Sequence, residues 1–160
     1  MASLNDLKLA YRLFMRAYPY RSVEWTPGAA LRKPLSEATL AVVTTAGFYL
    51  PTQRPFDASI RGGDSSYREI PSQADLDSLL IGHKSDAFDH AGIEADKNLA
   101  LPLDRLRKLE ADGELGGLAP MHYSFMGSLT APRRLIAESA PAVAEALKQA
   151  EVDAVLLTPV

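Results

Sequence analysis

The sequence predicts an α/β protein with a mainly parallel open sheet, flanked by helices and incomplete at its C-terminal end. Three observations predict it. Residues 40–50 (LAVVTTAGFYL) and 152–160 (VDAVLLTPV) are continuous Val- and Leu-rich runs, the pattern of strands covered on both faces. The segments at 101–115 and 130–152 between them carry helical spacing. Strand–helix–strand order then brings the first and last strands close together in one sheet. At 160 residues, with 47% hydrophobic and 23% charged, the chain is long enough for one domain with a core of its own.

The elements follow in order. Residues 4–18 place Leu7, Ala10, Tyr11, Phe14, Met15 and Tyr18 on one stripe, which predicts an amphipathic helix capped by Ser3 or Asn5. Segment 18–37 holds three prolines and little periodicity, and reads as an arm that packs Trp25 and Leu31 onto the domain. The organisation is therefore a helix and arm over 1–39 and an α/β domain over 40–160, effectively one domain. The first strand is expected over about 40–46 and the last over about 153–158. Residues 51–71 read as a long loop, with PTQRPFD, a Gly-Gly pair and a Ser-Ser pair. Segment 72–82 starts helix-like and turns extended around Leu79–Ile81. Residues 101–115 form a helix with Pro102 in the first turn and Gly113 near the end. Residues 116–129 are a loop with a short strand, and 130–152 is one helix or two, interrupted at Pro141.

Composition excludes several classes. A net charge of -3 gives no electrostatic case for nucleic acid or an anionic membrane. No apolar run approaches the roughly 18 residues of a membrane helix. The N-terminus lacks the layout of a secretory signal, so a cytoplasmic protein is expected. The chain has no Cys, and with it no disulfide, thiolate metal site or thiol nucleophile.

Four groups of residues carry potential chemistry. His83, Asp86, Asp89, His90 and Asp96 are ligand types suited to zinc or iron. Their spacing matches no tight motif, and turns and caps also collect Asp and His, so no metal site is assigned. His122, in PMHYSFMG, is either a general acid or base or a buried core residue. Thr44, Thr45 and Gly47 stand where open α/β sheets place ligands, outside the carboxyl ends of strands; the alternative is a polar strand end with a turn glycine. No glycine-rich phosphate motif accompanies them. In Tyr67-Arg68-Glu69, Arg68 either grips a carboxylate substrate or forms a surface ion pair.

Several stretches taken in order resemble a known family: YRLFMRAY, LRKPLSEATLAVVTTAGFYLPTQRPFD, DSSYREIP, LPLDRLRKLEADGELGGLAPMHYSFMG and VDAVLLTPV. Together they resemble the selenoprotein B family of glycine, sarcosine, betaine and D-proline reductases, in particular its shorter bacterial members. The resemblance runs from about Leu7 to Val160. It implies reductive C–N cleavage in an amino-acid-like substrate, driven by a selenol or thiol. It also implies that the nucleophile, a selenocysteine or cysteine, follows a strand like VLLTPV, hence after Val160. The chain then reads as truncated at a UGA codon taken as a stop, with engineered truncation or a short paralogue as alternatives. Thr44, Thr45, Tyr67, Arg68, His83 and His122 are the substrate-side candidates that the resemblance carries over.

The expected function is thus a reductase component that lacks its redox nucleophile and is inactive alone, with no bound cofactor. A non-enzymatic domain binding a small carboxylate or a partner subunit is the alternative, and a metal-dependent hydrolase ranks third. The expected partners are a small amino-acid-like substrate and either further copies of the chain or other reductase subunits. Truncation would also leave apolar surface uncovered around Val155, Leu157 and Val160 and favour self-association.

Overall fold

The structure, a computed structural model, describes residues 9–18, 28–85 and 90–160. Two compact units divide the chain, Met1–Ala30 and Leu31–Val160. In the first, helix α1 (Leu9–Ala17) carries the predicted periodicity, and the Phe14 and Tyr18 rings meet at a tilt of 54°, 5.7 Å between centroids. The capping residues Ser3 and Asn5, together with Leu7, lie outside the described residues, as does Trp25. Leu31, expected to pack onto the domain, is instead exposed at 42%.

The second unit is the predicted α/β domain. Strand β1 (Thr39–Thr44) runs through its middle. On one side β1 pairs in parallel with β7 (Ala154–Thr158), from Leu40 opposite Ala154 to Thr44 opposite Thr158. On the other side its start meets β5 (Gly117–Leu118) and its end meets β6 (Met121–Phe125), both in parallel. Strand β3 (Tyr67–Pro71) closes the far edge, antiparallel to β6. The sheet is open and mainly parallel, as the two Val/Leu runs predict.

Alternation along the strands sends two sets of side chains to two faces. Leu40, Val42 and Ile70 pack with Leu101, Leu103 and Leu106 from helix α3 (Leu103–Ala111) and the turn before it. Each apolar side chain of this size contributes roughly 1.5–3 kcal/mol by full burial. Tyr123, Phe125 and Val43 pack on the other face against Val143 and Leu147 of helix α4 (Ala140–Gln149). Helix α3 begins just after Pro102, and Gly113 follows it with φ +74°, a left-handed position that favours glycine.

Five regions differ from the sequence reading or refine it. The expected long run 40–50 stops at Thr44, and Gly47, at φ +72°, turns the chain into β2 (Phe48–Tyr49). Strand β2 pairs antiparallel with β4 (Leu80–Ile81) in a separate small sheet. The expected loop 51–71 ends in β3, whose polar Arg68 and Glu69 hide it, because an edge strand buries little: only Ile70 is fully inside. The loop 116–129 contains the central strand β6, in which His122 and Ser124 occupy buried positions usually taken by Val or Ile. Of the two readings for 130–152, the structure has the single helix, over 133–149, and Pro141 does not interrupt it: a wide π-helical turn (Leu135–Ser139) runs directly into α4, and Pro141 falls in the first turn of α4. The helix-like start of 72–82 is a single 3₁₀ turn, Leu76–Ser78, capped by the Asp75 carboxylate, which accepts from the Asp77 N–H. A short helix α2 (Ala91–Ala95) follows β4.

Strand β7 has no second partner among the described residues, so its outer edge is open. Val155, Leu157 and Val160 are 39%, 67% and 38% exposed, in line with the apolar surface expected there. Among the described residues no helix is long and apolar enough to cross a membrane.

Candidate site at the carboxyl ends of the parallel strands

The carboxyl ends of β1, β6 and β7 meet at Thr45. Its carbonyl accepts the Gly127 N–H at 2.8 Å, and its N–H donates to the Thr158 carbonyl at 3.3 Å. Its hydroxyl accepts the Val160 N–H at 2.9 Å and donates to the Val160 carbonyl at 3.2 Å. Thr45 therefore ties the three strand ends together. Thr44 lies one residue earlier on the opposite face, fully buried, and its hydroxyl joins the Thr158 carbonyl and the Ala46 N–H.

His83 enters this cluster from the chain after β4. Its backbone N lies so close to Gly47 that a side-chain carbon there would come to 2.7 Å. Its ring rests on Gly127, where a Cβ would stand 2.4 Å from Nε2 and 2.9 Å from the Thr45 carbonyl. Two glycines thus make the space that His83 fills. The His83 Nδ1 accepts the Ser85 N–H at 3.2 Å, which puts the ring proton on Nε2. His90 sits edge-on at 5.7 Å between ring centroids. Burial, and then the charge of His90, pushes the His83 imidazole below its ordinary value, so it is neutral at neutral pH.

The remaining predicted residues lie elsewhere. His122 is fully buried in the middle of the sheet, where Nδ1 accepts the Val42 N–H at 3.0 Å. Burial, with help from Arg107, lowers its pKa to about 4. Tyr67 packs its ring against Tyr123 and Phe125 at 5.7 and 5.8 Å, as part of the α4-side core. Arg68 spends four of its five N–H donors inside its own loop region. They go to the carbonyls of Arg54, Pro55 and Tyr67 and to the Ser66 hydroxyl, at 2.7 to 3.1 Å. Its guanidinium also covers the Phe56 ring at 4.2 Å. This arginine anchors the loop before β3.

No group of three or more metal-ligating side chains converges among the described residues. Asp86 and Asp89 lie outside those residues. Asp96 caps a 3₁₀ turn through the Asn98 N–H and pairs with Arg105 at 3.6 Å. The structure thus joins Thr45 to His83 and sets Tyr67, Arg68 and His122 apart from them. The residue that sequence reasoning missed is Gly127. Its place at the end of His-Tyr-Ser-Phe-Met-Gly was visible, but the close approach of an imidazole was not.

An open, mainly parallel sheet flanked by helices defines an α/β domain. The chain belongs to the glycine/sarcosine/betaine reductase selenoprotein B family, whose profile matches residues 6–160. Curated relatives include the D-proline reductase subunit gamma of Acetoanaerobium sticklandii, 34% identical over 134 residues, which are 84% of this chain and 52% of that protein. The betaine reductase complex component B subunit beta of Peptoclostridium acidaminophilum is 33% identical over 94% of this chain and 34% of its own length. The glycine reductase complex component B subunit gamma of Symbiobacterium thermophilum is 34% identical over 94% of this chain and 35% of its own length. The chain therefore spans about half the length of the first relative and about a third of the other two. No solved structure matches it significantly.

Proposed function

We propose that the chain provides the substrate-side α/β part of a reductase that cleaves a C–N bond in an amino-acid-like carboxylate. The family match over residues 6–160, to relatives named as subunits of glycine, betaine and D-proline reductases, carries this reading. The geometry supports placing the chemistry at the carboxyl ends of β1, β6 and β7, beside Thr45, Gly127 and His83. In this reading the redox nucleophile is a selenol or thiol that works against that end of the sheet. The 160 residues contain no Cys and no other side chain that is a soft, easily ionised nucleophile. The Nε2–H of neutral His83 is suited to donate to the carboxylate of the substrate, and the Thr45 hydroxyl to hold its polar end. Other reductase subunits are the partners this reading implies, and the open edge of β7 supports association of that kind.

Dithiol-driven turnover tests where the chemistry lies. The 160 residues alone are expected to reduce none of glycine, sarcosine, betaine and D-proline. Adding a cysteine-bearing segment of a curated relative behind β7 is expected to give turnover that H83Q lowers. Turnover by the 160 residues alone would overturn the assignment of the nucleophile.

A further inference from the structure

We infer that a groove between the loop at 60–66 and the start of the long helix at 133 binds a phosphate or phosphoryl group. This site is separate from the cluster at Thr45 and goes beyond the proposed reductase role. The groove encloses about 730 Å³, and Arg61, Arg133 and Arg134 line it with Ser65, Ser66 and Glu138. None of the three guanidiniums has a hydrogen bond or ion pair among the described residues. They contrast with Arg68 and Arg107, whose donors are committed to backbone carbonyls.

The acids that line the groove neutralise the three arginines only in part. Asp64 also borders the groove, but its carboxylate is buried and already accepts from the Asp57 N–H, the Ser66 N–H and the Ser66 hydroxyl. With Asp64 and Glu138 the lining sets two carboxylates against three arginines, and Asp64 is also faced by Arg68. The helix begins at Arg133, so its unpaired N–H groups add positive character at this end. A guanidinium presents a planar fork that matches oxyanions, and one such fork satisfies one carboxylate. Three unpaired forks around one groove fit a doubly charged, tetrahedral oxyanion better than a single carboxylate.

The walls are built, not accidental. The Gly62 carbonyl accepts both the Thr130 and Ala131 N–H groups at 3.0 and 3.1 Å. The Ser139 hydroxyl donates to the Ser65 carbonyl at 2.6 Å. Gly62 and Gly63 adopt φ +93° and +97°, and a Cβ on Gly62 would stand 2.6 Å from that of Ala131. The loop reaches the helix only because glycine occupies both positions.

The test is calorimetric titration of the 160-residue protein with inorganic phosphate at constant ionic strength, beside parallel titrations with glycerol phosphate and with glycine, betaine and acetate. Saturable binding of one phosphate is expected, with a matching rise in Tm. R61Q and R133Q should each weaken it at least tenfold, whereas R32Q, away from the groove, should leave it unchanged. Circular dichroism melts confirm that these surface variants stay folded. Glycerol phosphate binding as tightly as phosphate identifies a phosphoryl ester as an acceptable ligand, and free phosphate alone restricts the site to the ion. The inference is overturned if phosphate has no saturable effect, if the carboxylates bind and phosphate does not, or if R61Q and R133Q bind as before. Because the readout is binding, its failure leaves the reductase reading standing.

Discussion

Lowering the pH from about 7 to about 4 is expected to remove about 3 kcal/mol of folding stability through His122 alone, from its folded pKa of about 4 against an ordinary 6.5. The ring is fully buried, and protonating Nδ1 breaks its hydrogen bond from the Val42 N–H. Between those two values the unfolded chain holds a proton that the folded protein does not. Stability is therefore full above pH 6.5, falls through the window and levels near pH 4. His83, also lowered, acts in the same direction. Asp57, Asp64, Asp96 and Asp153 are lowered from 3.8, so the stability they contribute is lost only below about that pH. Urea unfolding at several pH values separates the two groups. H122L should flatten the fall between pH 6.5 and 4, and an equal fall in that variant would remove His122 as its cause.

Substituting Gly116 by Ala should cost on the order of 3 kcal/mol, the scale of a forced backbone clash. A Cβ at this position would stand 2.4 Å from the Glu37 carbonyl carbon and 2.5 Å from the Ala38 nitrogen. Both atoms are backbone, so no rotamer change relieves the contact. The Gly116 N–H donates to the Leu35 carbonyl and the Gly117 N–H to the Ala38 carbonyl, and these bonds set β5 beside the start of β1. Pushing the two segments apart disturbs the strand that carries Thr44 and Thr45 to the site. Denaturant melts of G116A measure the loss, and a midpoint equal to that of the unsubstituted protein would show that the crossing relaxes freely.

Strands β1 and β7 were legible in the sequence because both are continuous apolar runs, although only β1 lies in the middle of the sheet and β7 forms an open edge. Helix α3 was legible because its period and its flanking Pro102 and Gly113 agree. Strand β6 was legible only as a short strand within a loop, because His122 and Ser124 stand inside it and read as loop chemistry. Burial of His122 is made tolerable by a tertiary bond to Val42, eighty residues earlier in the chain, which no local pattern encodes. The site was legible in part for a related reason. Thr45 announces itself by its place at a strand end, and His83 by its residue type. Arg68 read in sequence as a grip on a carboxylate or half of a surface ion pair, yet four backbone and side-chain oxygens occupy it. The unpaired arginines Arg61, Arg133 and Arg134 come together only when the loop at 60–66 folds onto the long helix.

The central claim is that an amino-acid-like substrate binds at the carboxyl ends of β1, β6 and β7. Amide shift mapping of the ¹⁵N-labelled 160-residue protein, titrated with glycine, sarcosine, betaine and D-proline, tests it most directly. At least one of the four should produce saturable shifts confined to residues 44–47, 83, 126–128 and 158–160. G127A, whose added methyl falls 2.4 Å from His83 Nε2, should weaken that binding and move the His83 ring signals. Saturable shifts centred elsewhere, or none with any of the four, would contradict the account.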